Sequence, residues 1–355
     1  MLDLIHTWYQ RHFSDPQAVI LALFLVITLG VVLVLGDILA PLLIAGVCAY
    51  LLEGVVRHMD RVGTPRGISA SLVLGVFLLL MFALLFGVAP LLFQQVTQLF
   101  IELPRMIGRG QQELLRLPEV YPNLNLTKEQ INDIVKPLTG QVVSLGQAVL
   151  SFSLANVLNV FAFAIYFILV PMMVFFALKD KSLLMAWLNN FLPTRSALSK
   201  RIWEEVDHKV ANYVRGKFIE IVIVWVVTYL VFAVMGLSYS LLLSFLVGIS
   251  VIVPFVGAFS VTLPVAIIAY FQWGLSADFY WLLFAYVIIQ VLDGNVLVPI
   301  LFSEVVNLHP LAIIVAVLFF GGLWGVWGIF FAIPLATFVH ALLKAWPSSP
   351  SYEPG

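Results

Sequence analysis

The C-terminal half of this sequence almost lacks charge. Residues 218–343 contain no Lys or Arg, and the acids among them are few: Glu220, Asp278, Asp293 and Glu304. A soluble domain needs a charged surface, so this composition excludes one. Lipid is the solvent that fits, because a helix needs roughly 20 apolar residues to cross the hydrocarbon. Acids inside such a stretch are costly to keep there, and they are therefore the first candidates for function.

Cysteine is equally scarce, since Cys48 is the single one in the sequence. This excludes an intrachain disulfide framework and a cysteine-rich zinc site. The sequence also has no Walker A loop, no HExxH and no GxSxG motif. We therefore predict no enzyme activity, no cofactor, no metal and no self-contained ATP-driven pump. The net charge of −1 gives no reason to expect nucleic acid as a partner.

Apolar residues dominate what remains. They make up 62% of 355 residues, against 10% charged, and the mean hydropathy is +1.06. This composition predicts an all-α integral membrane protein with about eight transmembrane helices, some of them broken or re-entrant. Composition divides the chain into N-terminal membrane helices (1–93), a polar helical module (94–149), a fourth span (150–178), a basic stretch with an amphipathic helix (179–217), a core of broken helices (218–343) and a tail (344–355).

Three long apolar segments need a finer division. Ala18–Leu52 is too long for one span, and Gly36, Asp37 and Pro41 predict a tight turn between the helices Ala18–Gly36 and Ile38–Leu52. The segments 240–273 and 310–343 are interrupted by Pro and Gly, and each is either one kinked span or a re-entrant hairpin. Interrupted membrane helices are tolerated where protein or a water-filled cavity satisfies the freed backbone groups, so this region is the expected transport path.

The helix of the basic stretch has a recognisable pattern. Leu198, Ile202, Val206, Val210 and Val214 recur every four residues, and no Gly or Pro lies between Ser196 and Arg215. We expect this helix to continue directly into the fifth span. Its apolar stripe predicts packing against a neighbour rather than a ligand surface.

The distribution of Lys and Arg predicts the orientation. The N-terminus, the 53–67 loop, the 179–217 stretch and the tail together carry thirteen, whereas the 94–149 module carries five that are balanced by five acids. Cytoplasmic loops carry the excess of Lys and Arg. Both termini are therefore expected in the cytoplasm, and the 94–149 module outside it.

One polar cluster interrupts the apolar core between residues 290 and 310. Its candidate path residues are Gln290, Asp293, Asn295, Pro299, Glu304 and His309. A carboxylate at that depth costs about 2.5–3.5 kcal/mol, so it is kept if it is paired, hydrated or used. The functional hypothesis is a substrate or proton-coupling site. The structural alternative is that Asp293 caps a helix at a surface turn, and that His309, before Pro310, marks a helix start.

The remaining candidates are backbone positions. Pro254 and Gly257 mark either a kink or the tip of a re-entrant loop. Four glycines follow later in the chain, and they favour close helix packing, with a hinge or pore lining as the alternative: Gly321, Gly322, Gly325 and Gly328.

These residues also carry a resemblance. The segment 293–336 resembles the signature region of the autoinducer-2 exporter family, and 253–259 and 178–180 fit the same pattern. The matching positions are Asn295, Pro299, His309, Pro310, Leu311, Gly321, Gly322, Gly325, Gly328 and Pro334. The resemblance implies a secondary transporter with about eight spans, cytoplasmic termini and a pentameric assembly. It also implies export of autoinducer-2 or antiport of sodium or lithium against protons.

Three functions follow as alternatives. The favoured one is ATP-independent efflux of a small polar metabolite of the autoinducer-2 type across a bacterial inner membrane, coupled to protons. The second is a monovalent cation/proton antiporter, whose carboxylate pair would be Asp293 with Glu304 or Glu220. The third is a membrane scaffold whose 94–149 and 179–217 stretches bind other proteins. The expected partners are membrane lipid, a small-molecule substrate and further copies of the chain.

Overall fold

The computed structural model describes residues 16–120, 128–155, 159–189, 197–254, 256–302 and 308–345, and every regular element in these ranges is helical. In chain order the helices are α1 (Pro16–Arg61), α2 (Arg66–Ala83), α3 (Ala89–Val120), α4 (Lys128–Ala155), α5 (Asn159–Lys179), α6 (Lys181–Asn189), α7 (Ala197–Val234), α8 (Ser240–Ser250), α9 (Val256–Trp273), α10 (Ala277–Leu292), α11 (Val298–Phe302) and α12 (Pro310–Ala345). Two π-helical turns, Leu84–Val88 and Asp293–Leu297, join α2 to α3 and α10 to α11.

The N-terminal segment differs from the sequence prediction. Helix α1 runs through Gly36 and Asp37 without a turn and contains Pro41 in its interior. The predicted helical hairpin is therefore wrong. A proline removes one backbone hydrogen bond, here the one that the carbonyl of Asp37 would accept, and membrane helices tolerate that loss. A turn inside the apolar segment would leave several backbone groups without partners. With 46 residues the helix is about 69 Å long.

The 94–149 module is built from helices that continue out of the apolar spans. Residues 66–120 form one helical run, so the change of composition at residue 94 lies inside it. Helix α4 packs back along α3, with Ile131 and Val135 buried and the Gln111 side-chain amide donating to Asn132 Oδ1 at 2.7 Å. The module is therefore a helical hairpin.

Helix α7 is continuous over 38 residues, which confirms that the basic stretch runs into the fifth span. It packs against α1, α8, α10, α11 and α12 and is the central helix of the C-terminal half. Val214 of the predicted stripe is buried, and Val210 packs against the same apolar cluster as Phe302 and Ile333. The described part of the stripe thus buries within the chain, as expected.

Residues 240–273 form a helical hairpin rather than a kinked span. Helix α8 has 11 residues and is about 16 Å long, too short for a ~30 Å hydrocarbon core. A Cβ added at Gly257 would overlap the carbonyl oxygen of Ser250, so the two legs meet closely behind the tip. Gln272 closes the open end, because its side chain accepts from the Ser238 N–H at 2.7 Å and donates to the Gly236 carbonyl at 2.8 Å.

Helix α12 folds back on itself at Gly325, whose φ of 57° and ψ of −133° are not helical. A Cβ on Gly328 would overlap the carbonyl oxygen of Phe320, and one on Gly321 would lie 2.8 Å from the Ile329 side chain. Residues eight positions apart lie about 12 Å apart in a straight helix, so these approaches require a turn. Gly321 and Gly328 therefore lie where the two legs approach each other closely, and Gly325 lies at the bend, whereas Gly322 has open space around it.

By length and composition alone, and with α12 counted as one despite its turn, the described residues contain six helices that are long and apolar enough to cross a membrane. Two shorter apolar helices are Tyr166–Lys179 and Ser240–Ser250. Large apolar side chains lie exposed along them, such as Leu79 and Phe86, each 70% exposed. Lipid is the environment that accommodates such a surface. The predicted class, an all-helical multi-pass membrane protein, is confirmed.

Candidate functional site

A cavity of about 670 Å³ lies where α7, the tip of the α8–α9 hairpin, the Asp293–Leu297 turn and α12 meet. Its polar lining consists of Tyr213, Lys217, Glu220, Gln290 and Asp293. The apolar lining comes from Val251, Val253, Pro254, Ala258, Val298, Pro299, Phe302, Ile313 and Ile333. Sites for small molecules typically measure about 300–1,000 Å³ and combine apolar walls with a few polar groups, so this cavity has the size and lining of a solute site.

Asp293 enters the cavity from a widened helical turn. The Val298 N–H donates to the Asp293 carbonyl, an i→i+5 bond in place of the usual i→i+4 bond. Pro299 lacks the N–H that would bond Asn295 in a regular helix, which favours an altered turn at this position. The Asp293 side-chain oxygen Oδ1 is buried and has no hydrogen-bond partner among the described residues. The alternative of a helix cap at a surface turn is wrong, because Asp293 lies within a continuous helical run.

Lys217 and Glu220 form a buried ion pair opposite this turn. The distance from Lys217 Nζ to Glu220 Oε2 is 2.7 Å, and their side chains are 4% and 2% exposed. The same ammonium donates to the Val251 carbonyl at 2.8 Å and lies 5.2 Å from the centre of the Phe302 ring. Lys217 is the last residue of the predicted basic stretch (179–217), which we expected to lie in water, but its side chain is buried. The continuation of α7 carries this lysine into the apolar interior.

The charges in the cavity are unequal. It holds one ammonium, from Lys217, and two carboxyl groups, from Glu220 and Asp293. Two further polar atoms, Tyr213 Oη and Gln290 Nε2, are buried without a hydrogen-bond partner among the described residues. Buried polar atoms usually have partners, so an unpaired hydroxyl, amide and carboxylate around one cavity indicate a place for a ligand, water or a proton.

The other predicted path residues are placed differently. Asn295 is exposed and donates to the Val291 carbonyl of its own helix at 2.9 Å. His309 is exposed outside the cavity, and its Nδ1 accepts the Leu311 N–H at 3.2 Å, so it lies at a helix start. Glu304 lies outside the described residues. Gly257 holds the hairpin legs together behind the lining residue Pro254.

Three polar lining residues were not among the sequence candidates for the favoured site: Tyr213, Lys217 and, except as an alternative acid, Glu220. Their signal was present in the spacing. Tyr213, Lys217 and Glu220 recur at i, i+4 and i+7, which places them on one face of a helix. An opposite-charge pair on the same face as an aromatic hydroxyl, at the entry to an apolar span, indicates a buried polar site.

Comparison with known proteins identifies the family of this chain. The sequence matches the profile described as "AI-2E family transporter" over residues 21–348. It is 43% identical over 347 residues to PerM of Escherichia coli (strain K12), covering 98% of both chains. It is 29% identical over 311 residues to YueF of Bacillus subtilis (strain 168), covering 86% of this chain and 82% of that one. PerM is named as a permease and YueF as a transport protein, and neither name states a substrate. The chain belongs to the AI-2E family of transporters.

Proposed function

We propose that this protein is a secondary transporter that exports a small polar metabolite of the autoinducer-2 type across the bacterial inner membrane, in exchange for protons. The observation that carries the proposal is the cavity of about 670 Å³ with its unpaired hydroxyl, amide and carboxylate. A hydroxyl-rich solute would supply the hydrogen bonds that these groups lack. Membership of the AI-2E family supports transport as the activity.

The charge count of the cavity supports coupling to protons. With both carboxyl groups ionised, Lys217 neutralises one of them and the cavity carries one net negative charge. Binding one proton makes the sum of these charges zero. The free-energy cost of enclosing the site in apolar surroundings is lower when the site is neutral than when it is charged. Proton binding and release at Asp293 would therefore favour different states of the carrier.

A second function has a specific observation in its favour. The acids Glu220 and Asp293 line the same cavity, which is the pair that a monovalent cation/proton antiporter needs. Backbone carbonyls of the hairpin tip could complete the oxygen ligands of a sodium or lithium ion. The ion pair of Glu220 with Lys217 opposes this assignment, because the ammonium already occupies the place of a cation beside that carboxylate.

Flux measurements on purified protein in liposomes test the two functions. Export predicts that an imposed proton gradient drives accumulation of an autoinducer-2-type metabolite, and that Asp293→Asn abolishes it. Antiport predicts that sodium or lithium gradients change the internal pH without any metabolite. A preparation that does neither, with correctly inserted protein, would contradict both and favour the membrane scaffold.

Orientation and assembly belong to the same proposal. The distribution of Lys and Arg supports cytoplasmic termini and an extracytoplasmic α3–α4 hairpin. We expect a homo-oligomer, a pentamer by family resemblance, since exposed apolar faces on several spans are available for contact between copies. Native mass measurement in a mild detergent that preserves flux decides this, and a uniform monomer would contradict it.

A further inference from the structure

Lys217 connects its own helix, α7, to two other elements, so it does more than balance the charge of Glu220. Its ammonium reaches Glu220 one turn along α7, the Val251 carbonyl at the end of α8, and the face of Phe302 at the end of α11. An ammonium has three hydrogens to donate, so it can serve the carboxylate and the carbonyl at once. The side chain is 4% exposed, which makes each of these contacts expensive to lose.

The contact with Val251 lies at the C-terminal end of a helix, where a cation is stabilising. Val251 follows the last residue of α8, and the final carbonyls of a helix lack intrahelical donors. They also carry the negative end of the helix dipole, which attracts a positive charge. Residues 251–254 form the hairpin tip, and Val251, Val253 and Pro254 line the cavity. The lysine therefore holds the backbone of one cavity wall.

The rest of the hairpin is held by packing that does not involve Lys217. A Cβ on Gly248 would lie 2.6 Å from the Trp225 side chain and 3.0 Å from the Ile221 carbonyl, so the middle of α8 lies directly against α7. Val247 and Val265 are fully buried in the same apolar cluster. Loss of the lysine contact would therefore free the tip and leave the legs in place.

We propose that Lys217 is a positioning residue that fastens the tip of the α8–α9 hairpin to α7 through the Val251 carbonyl and so sets the wall of the transport cavity. Glu220 holds the ammonium in the position from which it reaches this carbonyl. The inference rests on the proposed function for its consequence in transport, but the contact itself can be tested without any substrate.

Cysteine labelling measures the position of the tip directly. Because Cys48 is the single cysteine, a Cys48→Ala parent allows one cysteine to be placed at will. Val253→Cys reports the tip, and Val247→Cys in the buried middle of α8 is the matched control. The rate of reaction with a small methanethiosulfonate reagent is measured at both positions in membranes.

The expected labelling rates depend on whether a variant keeps the Lys217 ammonium, which is the donor to the Val251 carbonyl. Lys217→Met should raise the labelling rate at Val253→Cys by about tenfold or more, the equivalent of a lost charge-assisted hydrogen bond, with no change at Val247→Cys. Lys217→Met combined with Glu220→Gln should give the same increase without leaving a buried unpaired carboxylate. Glu220→Gln alone keeps the ammonium that donates to Val251 and offers it an amide oxygen in place of the carboxylate, so Val253→Cys should label close to the parent rate.

Two results would overturn the proposal. If Val253→Cys labels at the parent rate in both Lys217 variants, the position of the tip does not depend on the lysine. Equal increases at Val253→Cys and Val247→Cys would show that Lys217 stabilises the whole fold and does not position the tip. Neither result bears on the flux measurements, so failure of this inference is distinguishable from failure of the proposed function.

Discussion

Asp293 combines an unusual backbone with an unsatisfied side chain. Its carbonyl accepts an i→i+5 bond, and its Oδ1 is buried without a described hydrogen-bond partner. π-Helical turns inside α-helices are frequent at functional sites, because the extra residue re-aims a side chain at the cost of regular hydrogen bonding. Burying a carboxyl oxygen without a protein partner is also costly. Both costs fall on one residue that faces the cavity, and this favours a role in transport.

The corresponding test is Asp293→Asn, which keeps the shape and removes the charge. We expect proton-driven flux to be lost while the protein level and the oligomer are unchanged, because the amide cannot release a proton to the cavity. Asp278→Asn is the matched control, since Asp278 is an exposed acid in the first turn of the same helical run. Flux like that of the parent at both acidic and alkaline pH would exclude Asp293 as the coupling group.

At the scale of elements, the C-terminal half contains two helical hairpins, α8–α9 and the folded helix α12. The α8–α9 hairpin contributes its tip to the cavity, whereas α12 contributes Ile313 from the first turn of its first leg and Ile333 from its second leg. Both turns disfavour a side chain, for different reasons: space is lacking at Gly257, whereas the backbone conformation is unfavourable at Gly325. Gly257 lies against the Ser250 carbonyl, and Gly325 has a backbone conformation that L residues rarely adopt.

Two glycines of α12 give a matched pair for testing its turn. Gly325→Ala should destabilise the protein by about 1–3 kcal/mol, because alanine is strained at a φ of 57°. Gly322→Ala should be neutral or slightly stabilising, since Gly322 has helical geometry and open space around it. Thermal unfolding in detergent measures both. Equal stability of the two variants would contradict a turn at Gly325.

At the scale of the whole molecule, polar contacts connect elements at both ends of the bundle. Glu53 of α1 is buried and binds Arg66 of α2 at 2.9 Å and Lys181 of α6 at 3.1 Å. At the base of the α3–α4 hairpin, Gln95 accepts the Leu242 N–H of α8 at 2.8 Å. The basic network lies with the stretches predicted to be cytoplasmic, and the hairpin contact lies with the module predicted to be outside.

Single cysteines test this orientation in the Cys48→Ala background. Glu129→Cys on the α3–α4 hairpin should react with a membrane-impermeant maleimide in intact spheroplasts. His208→Cys on α7 should react only after the membrane is opened, because the basic stretch is expected inside. Both positions are exposed in the structure, so access to the reagent depends on the side of the membrane. The reverse pattern would invert the proposed direction of transport as well.

The sequence could predict elements wherever the signal was local. The unbroken pattern from Ser196 onward predicted the continuity of α7, and His309-Pro310 predicted a helix start. The prediction of a turn at Gly36–Asp37 was wrong. Glycine and proline weaken a helix locally, but packing and the surrounding lipid determine whether the helix stays intact. For 240–273 and 310–343 it left two alternatives, since a kink and a hairpin turn use the same residues.

The sequence by itself determined that this chain lies in a membrane, that its elements are helices and that it belongs to the AI-2E family, because apolar length, missing charge and a long motif are all local properties. Only the tertiary structure decided that Lys217 and Glu220 lie in the same cavity as Asp293. They come from helices more than seventy positions apart in the chain. Their approach depends on how α7, the hairpin tip and the π-helical turn pack together, and no local sequence pattern encodes that packing.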